Sequence, residues 1–258
     1  MAEATDVITF LGTAGARFVM IHQFLASGGA WLSLGATQIV LDPGPGSLVQ
    51  ATKRKLDATK LDAVILSHKH LDHSGDVNIM IEAMTNGGTK KRGVVFAPAD
   101  ALDPEPVIFR YLRSYPQKIE ILTAGASYKV NDVSFETPVR HRHPVETYGL
   151  IFRTPRHTFS WVVDTRYFEG LGGHYEGELL IINVVRLKPG APIDHLSLPE
   201  ARSIIEEVKP RAAILTHFGM TMWRARPWEL AQKLTDETGI KVVAARDGMK
   251  FDLAQLDT

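Results

Sequence analysis

The chain has 258 residues, with 29 Lys plus Arg against 29 Asp plus Glu, so its formal net charge is zero before its 10 histidines are counted. That balance excludes a general polyanion-binding field, and residues 1–258 are long enough to bury the core of one α/β domain, with no Ser/Gly tract or charge block to cut at. The lack of cysteine excludes disulfides and restricts any zinc site to imidazole and carboxylate ligands, a pattern that fits a cytoplasmic protein.

The start, Met1-Ala2-Glu3-Ala4-Thr5-Asp6, is acidic and lacks the layout of a signal peptide. An apolar, β-branched run at residues 7–11 reads as a strand and leads into Gly12-Thr13-Ala14-Gly15. The stretch 18–41 is broken by His22, Gln23, Ser27, Gly28 and Gly29, which excludes a membrane span and leaves strands at 31–34 and 38–41. Asp42-Pro43-Gly44-Pro45-Gly46 follows as a turn, and further strands are expected at 63–66, 94–96, 119–122, 133–137, 150–153, 159–163, 179–184, 212–215 and 241–244. The spacing of Val77, Met80, Ile81 and Met84 predicts a helix beginning near Asp76. A second begins at the capping box Ser197-Leu198-Pro199-Glu200, and a third runs from Pro227 or Trp228 to about Thr238, closed by Gly239. The one compact basic run, Lys90-Lys91-Arg92 beside Gly87-Gly88, reads as a solvated turn. The class is mixed α/β, with strand-helix-strand units at both flanks of a central meander.

The chemistry concentrates at residues 67–76. His68, His70, Asp72 and His73 follow the apolar run 63–66 directly, in the place where α/β proteins put binding loops. In extended backbone His68, His70 and Asp72 would share one side and His73 would point elsewhere, so the segment can serve two neighbouring metals. A lone histidine is usually a surface group, but four clustered His and Asp residues after a buried strand read as a metal site.

This segment resembles the His-x-His-x-Asp-His signature of the metallo-β-lactamase superfamily, matched in full by His68, His70, Asp72 and His73. The resemblance implies a four-layer αββα sandwich and extends along the chain. Asp42 and the glycines after it look like the family's earlier Asp-Gly turn, which supports the site without binding metal. His143, with His141 as competitor, is similar to the third-motif histidine, Asp164 to the bridging aspartate, and His217 to the last ligand. By resemblance, one metal takes His68, His70 and His143, the other Asp72, His73 and His217, with Asp164 shared.

Two divalent ions roughly 3.5 to 4 Å apart share a water, lower its pKa and clamp the oxygens of the attacked group. Zinc (Zn2+) suits the imidazole-rich set, with Mn2+ or Fe2+ as alternatives. The flavin-partnered di-iron members of the superfamily have glutamate where this chain has His70, so hydrolysis by a metal-bridging hydroxide is expected rather than redox chemistry. Nothing here resembles the Gly-His-Thr-Pro-Gly-His-like segment of the thiolester-cleaving members. Asp194-His195-Leu196-Ser197 resembles the histidine loop of the ribonuclease Z and cyclic-phosphate phosphodiesterase groups, whose histidine protonates the leaving oxygen, a contribution of about 100 to 10,000-fold in typical acid-base catalysis. Asp72 and His195 are therefore the candidate catalytic residues, and Arg17, Arg142, Arg224 and Arg226 are candidate phosphate contacts. The expected activity is a dinuclear phosphodiesterase acting on a small or short nucleotide phosphodiester. The alternatives are a tRNA 3′-end endonuclease, a thiolester or lactone hydrolase, and a non-catalytic metal-binding protein. A stable nucleic-acid complex and a membrane partner are not expected. The resemblance also implies a homodimer.

Overall fold

Each half of the chain begins with hairpin-linked strands and continues into parallel ones. In the computed structural model, which describes residues 5–15, 17–27, 29–190 and 193–257, the first half supplies β1 (Asp6–Phe10), β2 (Ala30–Leu34), β3 (Thr37–Leu41), β4 (Ala63–Ile65), β5 (Val94–Ala97) and β6 (Lys118–Ile121). The second half supplies β7 (Ala126–Val130), β8 (Val133–Thr137), β9 (Leu150–Arg153), β10 (Thr158–Val162), β11 (Leu179–Asn183), β12 (Ala212–Thr216) and β13 (Lys241–Ala244), and β14 (Lys250–Asp252) returns to the first sheet beside β1. The result is two mixed seven-stranded sheets, in the orders β14-β1-β2-β3-β4-β5-β6 and β13-β12-β11-β10-β9-β8-β7. From β3 to β6 and from β10 to β13 the pairing is parallel. The acidic start at residues 1–4 and Gly28 lie outside the described residues.

The sheets pack face to face over one core and carry helices on both outer faces, the expected four-layer order. Alternation along single strands makes the division visible. In β11, Leu179 and Ile181 enter the inter-sheet core, while Leu180 and Ile182 pack outward with Ile204 and Ile205 of the helix Leu198–Val208. In β4, Ile65 faces inward and Val64 packs outward with Val77, Met80 and Ile81. Strands buried on both faces read as unbroken apolar runs, which is why the sequence located them. The two strands it missed, β7 and β14, are edge strands; exposed Ser127 and Lys129 alternate with buried Tyr128 and Val130 along β7.

The helices are α1 (Phe18–Ile21), α2 (Ser47–Lys53), α3 (Leu71–Ser74), α4 (Val77–Met84), α5 (Leu198–Val208), α6 (Met220–Arg224) and α7 (Pro227–Thr238). The expected helices are α4, α5 and α7; at the start of α5, Glu200 Oε2 accepts from both the N–H and the hydroxyl of Ser197 at 2.6 Å. The other four have seven residues or fewer, too short for periodicity to mark. Lys90 and Lys91 are exposed in the turn after α4, as expected, whereas Arg92 is half-buried and donates to Thr59 O at 2.6 Å. Asp6 ties the sheets together. Its buried carboxylate accepts from Gly35 N–H at 2.9 Å, from the Thr154 hydroxyl at 2.8 Å and from His157 Nδ1 at 3.0 Å.

Register places the chemistry. Leu41 pairs with Ile65, so Asp42 and His68 both leave the same end of the first sheet. Val162 pairs with Ile182, and Asn183 with Thr216, so Asp164, Asn183 and His217 leave neighbouring strand ends of the second. Both sets lie at carboxyl ends of parallel strands, where such sheets gather binding residues.

Candidate metal centre

After β4 the chain runs through Ser67 to the fully buried His68 and then turns. His70 O accepts from the N–H groups of His73 at 3.0 Å and Ser74 at 2.9 Å, starting the helical turn α3. The extended backbone expected for this segment therefore ends at His70, and Asp72 lies with His73 rather than with His68 and His70. Asp42 holds the turn from behind. Its Oδ1 accepts from Ser67 N–H at 2.6 Å, while its Oδ2 accepts from the Ser67 hydroxyl at 2.6 Å and from His73 Nδ1 at 2.9 Å. Asp76 then takes the N–H groups of Gly46 at 3.1 Å and Leu48 at 3.0 Å, fixing the start of α2 against the start of α4.

His217 has φ 60°, a left-handed conformation that costs free energy for a non-glycine residue and persists only where its surroundings enforce it. The enforcement comes from the first loop: Phe218 N–H donates to Thr13 O at 2.8 Å, and Gly15 N–H donates to Phe218 O at 2.9 Å. A Cβ on Gly15 would stand 2.4 Å from the His217 carbonyl oxygen, so this close approach requires glycine.

The side chains converge in two adjacent sets. Ligand-type atoms of His68, His70 and His143 lie within 4.8 Å of one another, as do those of Asp72, His73, Asp164 and His217. Asp164 Oδ2 lies 3.3 Å from His73 Nε2 and 3.8 Å from His68 Nε2, between the sets. All seven residues singled out as ligands are thus brought together. His141 is not among them: its Nδ1 donates to Asp164 O at 3.1 Å, and its Nε2 takes the Tyr175 hydroxyl. Burial pushes the His141 pKa down to about 4, so the ring is neutral and both its nitrogens are engaged.

The outer nitrogens are tied down. His143 Nδ1 donates to Asp194 O at 2.9 Å, and His73 Nδ1 donates to Asp42. The Ser67 hydroxyl donates to Asp42, so it accepts from His68 Nδ1 at 3.0 Å. In its neutral form each of these rings therefore presents a lone pair on Nε2, the arrangement that outer partners impose on metal-binding imidazoles, and that of His143 meets His70 Nδ1 at 2.9 Å. The other inner atoms lack a hydrogen bond: His68 Nε2, Asp72 Oδ2, His73 Nε2, Asp164 Oδ2 and both nitrogens of His217 are buried without one. Buried polar atoms are rarely left so, and imidazole nitrogens and carboxylate oxygens facing one point fit cations held by nitrogen and oxygen.

Electrostatics agree. Burial would raise the pKa of Asp164, but His217, His195 and His73 outweigh it and hold the carboxyl well below the usual range. Asp72 is lowered in the same way, burial being overcome by His73 and His217. Burial also opposes a proton on His73, yet Asp164, Asp72 and Asp42 together lift its pKa well above the ordinary value. By contrast, burial and the neighbouring His73 keep His68 far down. Clustered carboxylates that draw a proton onto a buried imidazole mark a place that favours positive charge.

Sequence reasoning missed two groups behind Asp164. Asn183 Nδ2 donates to Asp164 Oδ1 at 2.9 Å, and Trp161 Nε1 donates to Asn183 Oδ1 at 3.1 Å. A polar residue ending the apolar run 179–184 was the available signal.

One side of the centre opens into a cleft of about 920 Å³, with His70, His143 and His195 on its metal side. His195 Nδ1 lies 3.4 Å from Asp164 Oδ2, and Arg186 Nε donates to its carbonyl at 2.9 Å. Arg17 and Lys188 line the cleft with Arg186 and Asp194, and Asp194 lies 3.5 Å from Arg166. Of the four arginines expected to contact phosphate, only Arg17 lines this space. Arg142 stacks over Phe168 at 4.7 Å, Arg226 pairs with Glu229 at 2.8 Å, and Arg224 is exposed at the end of α6.

The sequence pattern of a family described as Beta-lactamase superfamily domain matches residues 37–218, from the start of β3 to just past His217. An uncharacterized protein of Methanocaldococcus jannaschii is 32% identical over 256 residues, covering 95% of this chain and 94% of its own. The metallo-beta-lactamase fold protein YhfI from Bacillus subtilis superposes with a TM-score of 0.78 at 21% identity, over 97% of this chain and 100% of its own. A diphosphatase from the PhnP family superposes with a TM-score of 0.72 at 18% identity, over 96% and 97%. At these identities the structural likeness speaks for the fold. Among the described residues, no helix is long and apolar enough to cross a membrane.

Proposed function

Since the chain belongs to the beta-lactamase superfamily domain family of metallo-β-lactamase-fold proteins and is a metal-dependent hydrolase, we propose that it is a dinuclear phosphodiesterase for a small or short single-stranded phosphodiester. One observation carries the reading: two donor sets, His68, His70 and His143 beside Asp72, His73 and His217, meet at Asp164 Oδ2, which no protein donor occupies. When bound there, two divalent ions, zinc by the imidazole-rich donor set with manganese or iron as alternatives, supply a nucleophile at neutral pH and stabilise charge on the attacked group.

The chain's own residues supply the rest. Asp42 and Ser67 keep protons on the outer nitrogens of His73 and His68, so that the inner lone pairs stay available. His195 lies between the centre and the cleft, where an imidazole can deliver a proton to a departing oxygen. Arg17 and Lys188 give the cleft an excess of positive charge in a chain whose formal net charge is zero, which favours an anionic substrate. A space of about 920 Å³ is at the upper end of small-ligand sites, the size of a nucleotide-scale diester.

The test is turnover of bis(p-nitrophenyl) phosphate across metals and pH, with and without chelator, by the wild type and by Asp164→Ala. Metal-dependent turnover lost in the variant is expected. Absence of turnover under every condition, or turnover that survives Asp164→Ala with the metal lost, would refute the proposal. A gel shift with tRNA separates the nuclease alternative: tight, salt-sensitive binding would favour the tRNA 3′-end endonuclease instead.

A further inference from the structure

The three parallel strands β10, β11 and β12 deliver Asp164, Asn183 and His217 side by side, and the middle residue has no place among the metal donors. We propose that Asn183, steered by the Trp161 indole, is a positioning residue that sorts the two oxygens of Asp164, binding Oδ1 to the protein and reserving Oδ2 for the shared metal position. The inference rests on the dinuclear reading above.

Asn183 and Trp161 are both 4% exposed, so neither can satisfy itself with bulk water. An indole N–H only donates, which fixes the amide orientation: Trp161 Nε1 takes Asn183 Oδ1 at 3.1 Å, and Nδ2 must then face the other way. There it donates to Asp164 Oδ1 at 2.9 Å. The carboxylate is thereby made unsymmetrical. Oδ1 has an amide donor, with His217 Nδ1 also 3.3 Å away, whereas Oδ2 has no hydrogen bond and faces His73 Nε2 at 3.3 Å, His195 Nδ1 at 3.4 Å and His68 Nε2 at 3.8 Å. Without Asn183, rotation of the carboxylate about its last bond would exchange two nearly equivalent oxygens. The Asp164 backbone is held separately, through its carbonyl oxygen and His141 Nδ1, so Asn183 governs the side-chain torsion.

The experiment measures metal retention rather than turnover. Wild type, Asn183→Ala, Asn183→Asp and Trp161→Phe are equilibrated with zinc against a graded competing chelator, and bound metal is counted by mass spectrometry. Circular dichroism and thermal melting are recorded in chelator alone. Wild type is expected to hold two equivalents. Asn183→Ala and Asn183→Asp should hold metal about 10- to 100-fold more weakly, the usual effect of removing an outer partner. Trp161→Phe, which frees the amide to turn, should show a smaller loss in the same direction. It keeps the test open if the Asn183 variants do not fold. A purely structural role would lower the melting temperature in chelator and leave retention per folded molecule unchanged, and that result would overturn the inference. Fewer than two equivalents in the wild type would instead refute the dinuclear reading itself.

Discussion

Asp42→Asn changes one atom and should move two protons. The carboxylate accepts three hydrogen bonds: Ser67 N–H at 2.6 Å on Oδ1, and the Ser67 hydroxyl at 2.6 Å and His73 Nδ1 at 2.9 Å on Oδ2. An asparagine can keep its oxygen toward Ser67 N–H, which puts its NH2 where Oδ2 stood. The new donors then face the Ser67 oxygen and His73 Nδ1. His73 can meet them only by shifting its proton to Nε2, the nitrogen turned toward Asp72 and Asp164. The Ser67 hydroxyl, no longer donating to Asp42, turns its proton to His68 Nδ1 and drives the same shift there. Hydrogen bonds to a charged group are worth about 1.5–3 kcal/mol each, and losing one of them corresponds to roughly 10- to 100-fold in metal affinity at about 1.4 kcal/mol per tenfold. Zinc titration monitored by calorimetry should show the weakening, with turnover falling alongside and the fold intact by circular dichroism. Wild-type affinity in Asp42→Asn would refute the tautomer argument.

Gly15→Ala should disturb His217 without removing any donor, because the new Cβ would stand 2.4 Å from its carbonyl oxygen and 2.8 Å from its Nδ1. A loss of about 1–3 kcal/mol is expected, seen as a lower melting temperature together with reduced metal content. Asp6 gives a pH signature away from the centre. Burial opposes its ionisation, but the hydrogen bonds from His157 and Thr154, the charge of Arg156 and the Gly35 N–H outweigh it and lower its pKa. A lowered folded pKa contributes stability that is present above the unfolded value of about 3.9 and is lost as pH falls through the folded value. The gap in denaturant stability between wild type and Asp6→Asn, roughly 1–3 kcal/mol at neutral pH, should therefore close below about pH 4, and a constant gap would count against it. Finally, Arg17→Ala and Lys188→Ala should each raise KM for an anionic diester by about 10-fold with a smaller change in kcat; steady-state kinetics with KM unmoved would remove them from the substrate site.

Much of this was legible in the chain because the key signals are local. Residues 68–73 carry four candidate donors in one run, and strands buried on both faces announce themselves as apolar stretches. Asp164 and His217 were legible through their resemblance to the superfamily's bridging aspartate and last ligand, each near the end of such a run. What escaped depends on three dimensions. The helical turn at Leu71–Ser74 spans four residues, too few for a periodic signal, so extended spacing placed Asp72 with the wrong partners. His141 and His143 are two positions apart; what separates them is spatial, since the Asp164 carbonyl and Tyr175, 34 residues away from His141, engage His141 while His143 faces His68 and His70. The service of Trp161 to Asn183 joins neighbouring strands whose pairing no single segment reveals. The arginines were the weakest reading for the same reason, since long side chains near a motif can turn toward any partner, as Arg142 does toward Phe168.

The donors come from both halves of the sandwich. His68, His70, Asp72 and His73 belong to the first sheet's connections, and His143, Asp164 and His217 to those of the second. Bound ions would thus act as rivets through the seam between the sheets, and neither half could part from the other without surrendering them. Stability would rise with metal supply by mass action, and ion exchange would be limited by how often the seam breathes. The same construction makes the centre a sensitive gauge of the layer beneath it, where Phe10 of one sheet meets Trp161 of the other at 5.7 Å. A ring trimmed there would be felt as a change in metal retention before the molecule lost its shape.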